Sequence, residues 1–265
     1  MAQKANRLAP LICLSLSGCA TLSEQTVQFK GLSSCSNENA ESLLRKDSQL
    51  GPATPTHDLQ CALKTVRTST DSALIRSSLP ARLSLHLAER ENPGPDRDAL
   101  ASEGVRFADR ALAQGGAKDG AVHYYLAANL GLALHDHPVQ AAENLNRLDQ
   151  ALQQALSLSR GVDQGGPLRV LGMLYLKAPP WPSGMGDGDK ALELLKASVT
   201  EFPSHPLNHV FYARALLEVD ENGKAARQEY DLGLKALNSG SWGFNKAVWQ
   251  REFLTLEQEL GPASP

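Results

Sequence analysis

The residues of this chain that can do chemistry fall into small groups, and spacing decides what each group offers. His205 and His209 stand four apart, the separation that turns two imidazoles toward one ion when both lie on a helix. Pro206 is a helix-starting residue, which leaves His205 outside that helix, and no third ligand is near in sequence. His135 and His137 flank Asp136 in a turn before Pro138 and read as solvated or capping groups. No Ser-His-Asp or Cys-His set has a recognisable context, and the carboxylates scatter as solvated ones do. The expectation is a protein with no catalytic residue, no cofactor and no metal.

The stretch KAPPWPSGMGDGDKALELL, residues 177–195, is the one that looks most like a working loop. A calcium loop needs acidic ligands at alternating positions and a terminal bidentate Glu, whereas only Asp187 and Asp189 alternate here. A phosphate loop needs Gly-Lys-Ser/Thr, and Lys190 is followed by Ala191. The bland reading is an elbow between two helices, stiffened by Pro179, Pro180 and Pro182, with Asp187 or Asp189 capping the helix that follows. Within it Trp181 is the candidate anchor of a partner loop, because Trp is over-represented at binding hot spots. The alternative is that it tucks over the neighbouring helix pair.

These residues need elements to carry them. Aromatics are few, alanine and leucine are many, and β-branched runs are absent, which predicts an all-α chain. Helices are expected from Asp58 to about Ser78, from Pro80 to the breaker Asn92-Pro93-Gly94-Pro95, and from Asp96 to Ala113. A pattern of large and small residues then recurs. Gly172 has Leu168, Leu171 and Tyr175 around it, and Ala191, Leu195, Ser198 and Pro203 follow at spacings of four, three and five. Ala128 and Ala213 take the place of Gly172 in the units on either side, and Ala225 takes that of Ala191. This resembles the tetratricopeptide repeat (TPR), a helix-turn-helix unit. It implies a TPR-like solenoid in which 179–187 is an insertion between the two helices of one unit. Trp249, Phe253, Leu256 and Leu260 form one helical stripe, expected to be a C-terminal cap.

The start of the chain is of a different kind. Lys4 and Arg7 precede an apolar run, Leu8 to Leu16, too short to span a bilayer as a mature helix. Leu16-Ser17-Gly18-Cys19 then resembles the lipobox of bacterial lipoproteins. That resemblance implies cleavage before Cys19, lipid on Cys19, and a membrane anchor of two or more chains. Residues 1–18 are thus expected to be a signal peptide, 19–55 a lipidated polar tether, and 56–265 the helical repeat domain. Cys35 and Cys61 remain, an even pair in an oxidising compartment, and are predicted to form a disulfide. Loss of Lys4 and Arg7 takes the net charge from −3 to about −5. Nothing concentrates basic charge as nucleic-acid binding requires.

Residues 165–218 carry a more specific pattern: Gly165-Gly166-Pro167, Leu171-Gly172, Ala178-Pro179-Pro180-Trp181-Pro182, Gly186-Asp187, Lys190-Ala191-Leu192, Pro203 and Asn208. This resembles the TPR-containing lipoproteins grouped as the T component (TatT family) of TRAP transporters, which take up organic acids. The resemblance implies a non-catalytic adaptor in the bacterial cell envelope, facing the periplasm. Its partner would be a periplasmic solute-binding protein, with a small organic-acid ligand in a central pore. TPR lipoproteins also serve outer-membrane assembly and secretion, which stands as the alternative. Ala20 after the lipidated cysteine fits outer-membrane sorting by the rule of enteric bacteria. TPR geometry implies that the groove is lined at three before, one after and four after the small residue. Those positions are Tyr125, Asn129 and Leu132; Arg169, Met173 and Leu176; and Val210, Arg214 and Leu217. The expectation is an apolar floor with Arg169 and Arg214 able to hold a carboxylate by forked hydrogen bonds. The alternative is that each arginine pairs with a neighbouring acid.

Overall fold

A computed structural model describes residues 22–29, 32–36, 38–180 and 182–261. Among the described residues the regular structure is helical, apart from a single bridge between Pro180 and Gly186. Three helices come first: α1 (Ala40–Arg45), α2 (Thr56–Thr68) and α3 (Ser72–Arg76). The single helix expected over 58–78 is thus broken. Asp71 accepts hydrogen bonds from the N–H groups of Ala73 and Leu74, and so starts a new helix where the old one would have continued.

Paired helices follow. α4 (Leu79–Ala88) packs on α5 (Pro95–Ala113), and α6 (Gly120–Ala133) packs on α8 (Leu145–Ser159). A short α7 (Pro138–Glu143) precedes α8, separated by Asn144, whose amide donates back to the Gln140 carbonyl. α9 (Gly166–Lys177) packs on α10 (Gly188–Glu201), and α11 (Pro206–Glu218) on α12 (Gly223–Ser239). Each pair also leans on the next, which makes a solenoid, and α13 (Asn245–Leu260) caps it against α11 and α12. The cap is held by the predicted stripe: Trp249, Phe253 and Leu256 are buried. No described helix is long and apolar enough to cross a membrane.

Small residues set the spacing within pairs. A Cβ on Gly172 would lie 2.6 Å from Leu195 Cγ, so only glycine lets α9 and α10 come this close. In α12 the small residue that is fully buried is Ala226. The expected Ala225 instead sits in the first turn, its N–H capped by Asn222. In α6 the fully buried small residue is Ala127, one before the expected Ala128. That one-residue shift rotates the groove face of α6.

The expected insertion is an elbow between α9 and α10. Asp187 caps α10 by accepting from the Lys190 N–H, and its own N–H donates to the Tyr175 carbonyl. A Cβ on Gly186 would lie 2.2 Å from the Ala178 carbonyl oxygen, which explains a glycine there. Trp181, the proposed partner anchor, lies outside the described residues, as do Cys19 and the signal segment.

The segment expected to be a tether is in large part docked. Leu22, Val27 and Phe29 pack against the helical cores, and Leu43 is fully buried. Arg67 donates to the Val27 carbonyl (3.0 Å) and grips Glu103 with two hydrogen bonds. Arg82 reaches Asp47 Oδ1 at 2.5 Å. The apolar residues spaced among the polar ones are what hold it down. Cys35 and Cys61 are disulfide-bonded, joining this segment to α2. Replacing both by serine is expected to lower stability by about 3 kcal/mol from loop-closure entropy. Hydrogen exchange before and after the change should show protection lost first in residues 22–50.

The array closes on itself. The Phe244 N–H donates to the Pro52 carbonyl (3.0 Å), Arg90 lies over the Phe244 ring at 4.5 Å, and Asn245 Nδ2 donates to Glu89 Oε2 (3.2 Å). The cap helix therefore touches the first helix pair as well as the last.

Candidate functional site

Closure leaves a central cavity of about 490 Å³ between α4, α6, α8, α9, α11 and α13. That is within the range of small-molecule sites. Leu132, Leu152, Met173, Phe211 and Trp249 supply apolar walls, and His86, Glu89, Asn245, Asp163 and Arg169 supply polar ones. Another hollow of about 710 Å³ lies between α10 and α12, where His209 and Glu229 are bonded to each other. The central cavity is the stronger candidate because six helices converge on it and four predicted groove residues, Tyr125, Leu132, Arg169 and Met173, line it.

The other five predicted groove residues are elsewhere: Leu176, Val210 and Leu217 do not line the cavity, and neither do the two polar ones, Asn129 and Arg214. Asn129 is fully buried, wedged against Gly104 of α5, with its amide donating to the Ala81 and Tyr125 carbonyls. The register shift of α6 explains this: with Ala127 as the small residue, the groove positions become Tyr124, Ala128 and Gly131, and all three line the cavity. Arg214 is covered by the cap helix and pairs with Glu252 (2.8 Å) and Glu259 (3.3 Å). The two arginines expected to act together are thus separated, and each is paired with acid groups.

Arg169 is itself the hub of a network. Nη2 donates to Asp163 Oδ2 at 2.5 Å and Nη1 to Asn208 Oδ1 at 2.7 Å, while the Tyr124 hydroxyl donates to the same Asp163 oxygen at 2.5 Å. Asn208 passes the network to the Gln164, Ser198 and Phe202 carbonyls. The turn that delivers Asp163 is unusual: Asp163 (φ 50°), Gln164 (φ 48°) and Gly165 (φ 85°) are all left-handed. Backbone of this kind costs energy and persists because the Arg169 and Tyr124 bonds hold it. Burial pushes the Asp163 carboxyl up, but Arg169, His205 and Tyr124 outweigh it and hold it below its ordinary value. Burial pushes the Tyr124 phenol well up, and Asp163 adds to this.

Beneath the network His205 lies against Trp249 and Trp242, with ring centroids 4.9 and 5.4 Å away. Burial, with Arg169 beside it, pushes His205 down to about 3. The unfolded chain therefore binds a proton at this position between about pH 6.5 and 3 that the folded chain refuses. Stability from neutral His205 is present above pH 6.5 and is lost as pH falls through that window. His205→Gln is expected to flatten the fall in melting temperature across it, as read by thermal melts at stepped pH.

The remaining chemical groups are accounted for. His209 bonds Glu229 through Nδ1 (2.7 Å) and the Pro203 carbonyl through Nε2 (2.8 Å), so neither nitrogen is left for a metal. Burial lowers its pKa, yet these two partners raise it above the ordinary value. His137 pairs with Asp98, and His135 is exposed. Cys35, His57 and Cys61 stand close enough to be metal ligands, but both sulfurs are in the disulfide.

Sequence reasoning missed the polar trio His86, Glu89 and Asn245. His86 and Glu89 lie at the end of an ordinary helix, and Asn245 is 156 residues beyond Glu89. No local pattern marks them, because only closure of the array brings them together. No protein-family model matches the chain, and no curated protein matches it. What identifies the molecule is its architecture, an all-α solenoid of helix pairs closed over one central cavity.

Proposed function

We propose that this protein is a non-catalytic, lipid-anchored adaptor of the bacterial envelope. It holds a small ligand in its central cavity and works with a periplasmic solute-binding protein in tripartite (TRAP-type) uptake. The observation that carries this reading is the closure of the solenoid. The seam from Phe244 and Asn245 to Pro52 and Glu89 turns an open groove into a chamber with apolar walls. Among the described lining residues there is no serine, threonine or cysteine to act as a nucleophile, and Asp163 is held by Arg169 and Tyr124. Both points favour binding over turnover. The lipobox-like Leu16-Ser17-Gly18-Cys19 supports the anchor, and the pattern in 165–218 supports the transport setting.

The test is to solubilise the full lipoprotein gently from membranes and identify what accompanies it by mass spectrometry. A periplasmic solute-binding protein is the expected companion. Porins or secretion components in its place would move the function to outer-membrane assembly or secretion while leaving the fold unchanged.

A further inference from the structure

The cavity wall at the seam is made of hydrogen-bond acceptors. Asn245 is 2 % exposed and lines the cavity. Its orientation is decided by Glu89: a carboxylate can only accept, so the amide nitrogen must face it. That leaves Asn245 Oδ1 buried with no hydrogen-bond partner. An orphaned buried acceptor is costly, and a native structure has few of them. Next to it, Glu89 Oε2 lies 3.3 Å from His86 Nδ1.

The donors of the Arg169 network on the opposite wall are engaged. The two terminal nitrogens of Arg169 serve Asp163 and Asn208, and the Tyr124 hydroxyl serves Asp163. Lys177, which also lines the cavity, pairs with Glu218. Arg90, the cation beside Glu89, donates to Thr56 Oγ1 and the Pro52 carbonyl and stacks on Phe244; its buried Nε has no partner, but Arg90 is not among the residues that line the cavity. A carboxylate entering here would lose water and meet acceptors. A group bearing N–H would satisfy Asn245 Oδ1 and Glu89 together, with the Trp249 and Phe211 rings nearby to favour a cation.

Resting on the reading of the cavity as a ligand chamber, we propose that the chamber selects ligands with an apolar body and an N–H donor head. The head is an amine or primary amide, recognised by Asn245 Oδ1 and Glu89. This is the opposite polarity to the carboxylate expected from Arg169 and Arg214.

The experiment compares three probes of one shape, octylamine, octanamide and octanoate, by calorimetry. The mature full-length protein is held in lipid nanodiscs, with empty nanodiscs as the blank. Octylamine and octanamide are expected to bind at least about tenfold more tightly than octanoate, the ratio one hydrogen bond supplies. Asn245→Leu should erase that margin. Glu89→Gln can still accept from Asn245 through its amide oxygen, so it keeps the seam. It should remove only the advantage of the charged amine over the amide. Octanoate binding as well as the others would overturn the donor-head inference and leave the chamber standing. A margin unchanged in both variants would overturn it too. If no probe bound above the blank, the chamber reading would fail, and this inference with it.

Discussion

Replacing Arg169 by methionine is expected to cost about 3–5 kcal/mol, the usual price of leaving a buried ionic partner unpaired. For a chain of this size that is a fall of roughly 10 °C in melting temperature. The side chain is 4 % exposed and ties three parts of the fold together: the left-handed turn at Asp163, the body of α9, and Asn208 in α11. Without it, Asp163 keeps only the Tyr124 hydroxyl, and Asn208 Oδ1 loses its donor. The control is Asp163→Asn in the same chain. Asparagine tolerates left-handed backbone and carries no charge, so it removes the stranded carboxylate without straining the turn. The double variant should therefore be more stable than the sum of the two single losses, by at least about 1 kcal/mol in a double-mutant cycle. Strict additivity would mean that Arg169 and Asp163 are neighbours and not partners.

Leu195→Ala is the other large effect, about 3 kcal/mol within the range for a buried leucine. Leu195 is fully buried and fills the notch left by Gly172 between α9 and α10. Truncation opens a cavity that two rigid helices cannot close. The proof that the notch is responsible lies in the pair. Gly172→Ala alone forces a methyl to within 2.6 Å of Leu195 Cγ and should destabilise. In the presence of Leu195→Ala the same methyl enters vacated space and should be tolerated. Leu232, which is 51 % exposed, supplies the contrast, since Leu232→Ala should change stability by no more than about 0.5 kcal/mol. Chemical denaturation of the five proteins measures all of this.

Most of the helices and their order were legible in the sequence because each rests on local rules; the breaks at Asp71 and Asn144 were not. Apolar stripes, Pro80 and Pro206 at helix starts, the cap at Asp187 and the glycine at 172 all act within a few residues of themselves. The disulfide was legible because only two cysteines remained after the leader-like segment. The all-α solenoid and its capping helix follow from the same signals. The groove was half legible. Periodicity located Tyr125, Arg169 and Met173, yet a one-residue error in the small position of α6 was enough to misplace Asn129, because one residue turns a helix by about 100°. Arg214 was misplaced for another reason: a repeat pattern says which face is concave, but not that α13 folds over that face and pairs with it. The chamber was decided by tertiary structure alone. The seam joins Glu89 to Asn245 across 156 residues, and its existence depends on the summed curvature of four helix pairs. Each crossing angle is set by packing at its own interface, so no window of sequence contains the sum. The polar wall that this closure assembles, and the kind of ligand it suits, exist only once the ring is shut.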